Sequence, residues 1–326
     1  MASLLLATQA MATRFELVLH GPNPTHLRSA GEEAIAEIQR LDATLSAYRP
    51  ESEIATLNRL AHRHPVQVSP EVFHLLQHAV VLSQATHGTF DVTVGPLLQA
   101  WGFAGGSGHP PDPATLATAL AAVGPRQLLF NPSDFTIRFA HPNTRLDLGA
   151  IGKGYAIDRA ASILRDADVH NALLHGGTST ALALGSPETT DAWRIAIDPP
   201  FHSPNSSPPP SPLAIIDLHD EALSVSAVWG KGFTHQGSFH GHIIDPRSGQ
   251  PAQGALLAAM ILPSATESDA LSTALLVRTT EMVERLRSSQ APARCLVALP
   301  SPTPPGFQLV TYGIPTPPTP PPHPAA

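Results

Sequence analysis

Period-two and helical patterns follow one another irregularly along this chain, and that irregularity most narrows its fold. Arg14 to Leu19 alternates in the manner of a half-buried strand, and Leu27, Ala30, Ala34, Ile35, Ile38, Leu41 and Leu45 then recur at helical spacing. Ser69-Pro70-Glu71 supplies an N-cap, a proline for the first helical position and an early acid. Val72, Leu75, Leu76, Ala79 and Leu82 follow on one face, so a second helix starts there. Residues 112–123 read as a third helix, and 127–130 with 136–139 as a hairpin. After a helix over 153–165 come short strand patterns at 172–174, 181–184, 193–197, 213–218, 223–226 and 256–262, helical patterns at 266–277 and 280–289, and strands at 295–299 and 307–311. A parallel α/β sheet requires strand and helix to take turns. They do not do so here, and the expected class is α+β, mixed sheets with flanking helices.

The 326 residues allow one large core, and a single domain over 1–312 is the expected organisation. Two segments stand apart: a Pro/Ser-rich insertion at 199–212, in place of a short connection between strands, and a disordered Pro-rich tail at 313–326. With 14% charged residues and a net charge of −7, the chain offers no footprint for nucleic acid or an anionic membrane. Its single cysteine, Cys295, excludes an intrachain disulfide framework and a thiolate metal cluster, and its apolar surroundings suit a buried strand. Leu4-Leu5-Leu6 lacks the basic flank and length of a signal peptide, and no window reaches the roughly 18 apolar residues of a membrane span. A cytoplasmic protein is expected.

The segment Asp147-Leu148-Gly149-Ala150-Ile151-Gly152-Lys153-Gly154-Tyr155-Ala156-Ile157-Asp158 joins an apolar strand to a helix through a glycine-punctuated turn carrying one lysine. Such a turn exposes N–H groups at the positive end of a helix dipole and can hold a phosphate or pyrophosphate. It can equally be an ordinary turn with a solvated lysine. The spacing is neither GxxxxGK[ST] nor GxGxxG.

Three further segments carry candidate chemistry. Asp269 and Thr273, four apart at a helix start, place two hard oxygens on one face. Either they form half of a magnesium site completed by a diphosphate, or the aspartate is a helix-start residue beside a back-bonded threonine. His242 stands on an extended apolar segment, with Ile244 following, that ends in the turn Asp245-Pro246-Arg247-Ser248-Gly249. It can move a proton near neutrality or be satisfied at a strand edge. Gly88 to Pro96 leads into Trp101 and Phe103, and Asp91 beside Phe90 can hold a flat heteroaromatic ring or cap a core turn. Tyr48 precedes another capped turn. Among 17 histidines, His235, His240 and His242 show no zinc motif.

Taken in order, these segments resemble the ApbE family of flavin transferases. The matching stretches are Met11-Ala12-Thr13, 45–58, 88–103, 147–158, the Gly176-Gly177 turn, 242–251 and 269–274, spanning Met11 to Tyr312. The resemblance implies an ApbE-like, T-fold-related α+β architecture with an FAD cleft, and an enzyme that moves FMN from FAD onto a threonine or serine of a target protein with Mg2+ as cofactor. It assigns Met11, Tyr48, Thr89, Phe90, Asp91, Asp147, Lys153, His242 and Ile244 to FAD. It assigns Ala150 (through its carbonyl), Asp269, Ser272 and Thr273 to the metal, and His242 and Lys153 to catalysis, with the Gly152 to Gly154 amides beside the phosphates. The implied partner is an acceptor flavoprotein with an Asp-x-x-Ser/Thr-Gly-Ala-Ser/Thr-like stretch. The chain departs from the family pattern where Val225-Ser226-Ala227 replaces Thr-Ser-Gly and where Thr178 follows the glycine pair. The same site with water as acceptor gives an FAD pyrophosphatase, and without turnover an FAD-binding protein.

Overall fold

The computed structural model describes residues 2–187, 189–200, 211–290, 292–303 and 306–315. Most of the expected insertion and tail, residues 201–210 and 316–326, lies outside them. In chain order the strands are β1 (Ala2–Ala10), β2 (Thr13–Gly21), β3 (Val66–Gln67), β4 (Leu128–Asn131), β5 (Thr136–Phe139), β6 (Asn171–Gly176), β7 (Thr180–Leu184) and β8 (Trp193–Ile197). Then follow β9 (Ala214–Leu218), β10 (Ala222–Ala227), β11 (Gly232–His235), β12 (Ser238–Gly241), β13 (Leu257–Leu262), β14 (Arg294–Pro300) and β15 (Phe307–Tyr312). The helices are α1 (Pro24–Leu45), α2 (Glu53–Leu60), α3 (Pro70–Ala85), α4 (Gly95–Ala100), α5 (Pro113–Ala121), α6 (Gly152–Asp166), α7 (Ala265–Val277) and α8 (Thr279–Ser289). No helix of the described residues is long and apolar enough to cross a membrane.

The chain divides into two units, one of residues 1–38, 153–227 and 254–326, the other of 39–152 and 228–253. The first is built on an eight-stranded sheet in the order β1-β2-β6-β7-β10-β13-β14-β15, with a separate β8-β9 pair. Every pairing in that sheet is antiparallel, which an α+β fold allows and an alternating α/β one does not. β7 and β13 are buried along nearly their whole length, and α7 packs on β10 and β13. α7 is itself buried on most sides, and its apolar residues are not confined to one stripe. Cys295 is fully buried in β14, and burial pushes its thiol up to about 11.

The turn between β1 and β2 is two residues long, since Ala10 pairs with Thr13. Met11 and Ala12 take φ of 50° and 57°. A two-residue hairpin calls for this left-handed geometry, which Asn and Gly adopt at least cost.

The second unit holds the three-stranded sheet β3-β5-β4 and the β11-β12 hairpin. α3 starts at the expected place: Ser69 Oγ accepts the Val72 N–H at 3.3 Å, with Pro70 at the first helical position. Leu97, Ala100, Trp101, Ala119, Val123 and Ile244 form a core cluster, and the indole N–H of Trp101 donates to the Gly249 carbonyl at 2.7 Å. That bond ties the turn after His242 to the aromatic segment at 101–103.

Candidate active site

In the first unit, Asp269, Ser272 and Thr273 come together with Lys153 and with two residues that sequence reasoning did not select, Ser224 and Ser226. Asp269 stands in the first turns of α7, 3% exposed. Its Oδ2 accepts the Gly154 N–H at 3.1 Å and lies 3.5 Å from Lys153 Nζ, while Oδ1 accepts the Ser224 hydroxyl at 3.3 Å. Gly154 belongs to the first turn of α6, whose N–H groups have no partner within the helix, so the carboxylate caps that helix. The fit requires glycine: a Cβ on residue 154 would meet the Ala265 carbonyl oxygen at 2.2 Å and Asp269 Cβ at 2.9 Å.

Hydroxyl groups extend the cluster. Ser226 Oγ is 2.9 Å from Ser272 Oγ and 3.1 Å from Thr273 Oγ1, and Thr180 Oγ1 is 3.1 Å from Ser224 Oγ. Ser272 and Thr273 donate back to the Asp269 carbonyl at 3.0 and 3.4 Å. The back-bonded threonine at a helix-start aspartate, one of the two readings of the sequence, is therefore present. Ser224 and Ser226 were legible in principle, since positions two apart on a strand share a face. One expectation changes: the Gly154 amide, expected beside the phosphates, is committed to Asp269.

The donor set is all oxygen around one buried carboxylate, and no group of three or more His, Cys, Asp or Glu among the described residues could hold a metal. That chemistry fits a hard cation such as Mg2+ that takes one or two carboxylates and fills its other positions with water and phosphate oxygens. It does not suit a soft metal.

A reciprocal bond set holds α7 in place. Asp158, on α6, accepts from Ser264 Oγ (2.8 Å), Ala265 N (2.9 Å), Thr266 N (2.9 Å) and Thr266 Oγ1 (2.6 Å). Met11, also in this unit, is half-buried at the tip of the β1-β2 hairpin.

The second unit carries Tyr48, Thr89, Phe90, Asp91, Asp147, Ala150, His242 and Ile244. Asp91 is buried and caps its turn. Oδ1 accepts the Thr93 N–H and hydroxyl at 2.8 and 2.6 Å, and Oδ2 accepts the Ser83 hydroxyl at 3.0 Å. Burial outweighs these bonds and raises its pKa. Thr89 and Phe90 are each 2% exposed. Gly88 and Asp91 also line a cavity of about 490 Å³ that carries Arg126 and Arg247.

Asp147 is tied in by its own N–H, which donates to the Val92 carbonyl at 2.8 Å, and its Oδ1 accepts the Gly149 N–H at 2.9 Å. Ala150 sits half-buried in the tight turn that follows, where Gly152 N donates to the Leu148 carbonyl at 2.8 Å. Tyr48 is 69% exposed, yet its phenol pKa is raised, first by desolvation and then by the Asp147 charge.

His242 donates twice to one acceptor, the Lys231 carbonyl, through its backbone N–H (3.1 Å) and through ring Nδ1 (3.0 Å). A carbonyl can only accept, so Nδ1 carries the proton and Nε2 is the basic nitrogen of the neutral ring. The segment forms no regular strand; it follows the β11-β12 hairpin, and Ile244, 4% exposed, makes a single bridge with Pro251. The turn after it is as expected: Asp245 accepts the Arg247 N–H at 3.0 Å and Gly249 N donates to the Asp245 carbonyl at 2.8 Å.

The fold and these clusters define a class of protein with solved counterparts. An ApbE protein of Thermotoga maritima superposes with a TM-score of 0.83 at 26% identity, covering 96% of this chain and 97% of that one. The flavin transferase ApbE of Vibrio cholerae superposes with a TM-score of 0.81 at 25% identity, covering 96% and 97%. Residues 11–297 match the model of the ApbE family, and the chain belongs to that family. Among curated relatives, an FAD:protein FMN transferase of Klebsiella pneumoniae (strain 342) is 32% identical over 69% of this chain and 69% of its own length. One of Haemophilus influenzae is 30% identical over 76% and 71%.

Proposed function

We propose that this chain is an FAD:protein FMN transferase, moving FMN from FAD onto a threonine or serine hydroxyl of an acceptor flavoprotein and releasing AMP. The observation that carries the reading is Asp269, a buried carboxylate that accepts the Ser224 hydroxyl, stands beside the linked hydroxyls of Ser226, Ser272 and Thr273 and is faced by Lys153, in a family whose curated relatives bear that name.

In this reading Asp269, Thr273, Ser272 and the Ala150 carbonyl hold Mg2+. When bound, the ion supplies charge neutralisation and orientation for the pyrophosphate. Met11, Tyr48, Thr89, Phe90, Asp91, Asp147 and Ile244 are contacts for FAD. The acceptor hydroxyl attacks the phosphorus on the FMN side, its proton passes to His242 Nε2, and the bond from that phosphorus to the AMP phosphate breaks, AMP leaving with the electron pair. The Lys231 carbonyl holds the imidazole in the tautomer that step needs. Lys153 places an ammonium beside the negative equatorial oxygens. The acceptor is expected to carry an Asp-x-x-Ser/Thr-Gly-Ala-Ser/Thr-like stretch.

The test is incubation with FAD and Mg2+, with and without a peptide containing that stretch, followed by mass spectrometry. FMN joined to the peptide with one AMP released per transfer is expected, and Asp269→Ala should abolish the AMP release. Free FMN and AMP regardless of peptide would make the protein a pyrophosphatase; FAD left intact would make it a binding protein.

A further inference from the structure

Asp269 has a resident counter-ion. Each carboxylate oxygen offers two lone-pair directions, and on Oδ2 one is taken by the Gly154 N–H at 3.1 Å while Lys153 Nζ stands 3.5 Å away. Lys153 precedes Gly154 in the chain, so the bond that fixes Gly154 also fixes the root of the lysine. The Lys153 side chain is only 20% exposed and that of Asp269 only 5%. A carboxylate so buried requires compensating charge, and Lys153 provides it. The hydroxyls of Ser224, Ser226, Ser272 and Thr273 add dipoles but no charge.

Resting on the reading of Asp269 as a cation ligand, we infer that Lys153 and the divalent cation are alternative counter-ions of this carboxylate. Two cations on one carboxylate group repel each other in a site that water screens poorly. Entry of the ion therefore releases the ammonium from Asp269, and a phosphate-bearing substrate gives the released ammonium a new anionic partner. The cation alone binds weakly because it must displace Lys153. The cation and the substrate bind with positive coupling because each removes a cost from the other. Lys153 thus has a positioning role in the metal-free protein, separate from its contact with substrate.

The experiment is calorimetric titration of FAD-free protein with MgCl2 alone, using wild type, Lys153→Met, Lys153→Arg and Asp269→Asn, with circular dichroism to verify folding. Lys153→Met should bind Mg2+ about tenfold or more tightly than wild type, and Lys153→Arg should behave as wild type. In thermal melts, saturating Mg2+ should raise the Tm of Lys153→Met more than that of wild type. If Lys153→Met does not fold, Lys153→Gln carries the same expectations. Equal or weaker Mg2+ binding by the neutral variant, with binding still lost in Asp269→Asn, overturns the competition and leaves the metal assignment standing. Mg2+ binding that survives in Asp269→Asn overturns the assignment itself.

Discussion

Asp158 and Asp269 cap each other's helices. Asp158, on α6, takes the Ala265 and Thr266 amides at the start of α7, both at 2.9 Å, while Asp269, on α7, takes the Gly154 amide at the start of α6 at 3.1 Å. Each carboxylate satisfies donors that the other helix cannot satisfy itself, and each sits where the helix dipole favours negative charge. The proposed cation ligand is therefore held from both ends of one interlock.

Removing one half of it should be costly. Asp158→Ala leaves two buried amides and two hydroxyls without their acceptor, and about 3 kcal/mol of stability should be lost. Ser264→Ala removes the local N-cap, whose Oγ accepts from Glu267 N at 3.3 Å, and one of the four bonds to Asp158, and should cost about 1–2 kcal/mol. Urea unfolding of both variants measures the difference; equal losses would mean the interlock adds nothing to ordinary capping.

Gly154→Ala tests the closeness of the approach. Alanine is the better helix former, so an exposed site would gain. Here the added methyl meets the Ala265 oxygen at 2.2 Å, and backbone must move. A net loss of roughly 1–3 kcal/mol is expected, together with weaker Mg2+ binding. A rise in Tm would show that the helices yield freely.

At the β1-β2 turn the expected sign is opposite. Ala12 holds φ at 57°, a conformation that costs an L-residue roughly 1–2 kcal/mol. Ala12→Gly should raise stability by about 0.5–1 kcal/mol after glycine's larger unfolded-state entropy is counted. Differential scanning calorimetry on the pair decides it.

Asp91 predicts a pH dependence. Burial raises its pKa above the ordinary 3.8, so the folded state keeps the proton where the unfolded chain has lost it. Stability from this residue is then full below the unfolded pKa and is lost as pH rises through the folded value. Asp91→Asn keeps an acceptor for Thr93 and a donor toward Ser83 without the charge. Its stability relative to wild type should improve as pH is raised from about 4 toward neutrality. Denaturant titrations at a series of pH values give the curve, and a flat difference would place the proton elsewhere.

Local chemistry made much of this legible. Ser69-Pro70-Glu71 placed α3 because its cap and proline act within a few residues, and β8 spans the segment expected as a short strand at 193–197. β1 was not seen, because Leu4-Leu5-Leu6 breaks the alternation that an edge strand with one partner does not enforce. The short α4 and the β11-β12 hairpin escaped for want of length. At the site, Asp269 and Thr273 were visible as neighbours on one helix face. The role of Asp158 was not, since its partners lie 106 to 108 residues away and nothing near it in the chain signals them.

The division into units also governs how the chain is made. The first unit takes its strands from three separated stretches, and β13, β14 and β15 arrive only after the second unit's last stretch has been built. During synthesis β10 therefore waits with an open side until residues 257–262 emerge. Neither unit can be excised as a continuous fragment. The unit whose first strands emerge earliest is completed last, and pairing between strands so far apart in sequence is of the kind that slows folding and prolongs the exposure of open edges.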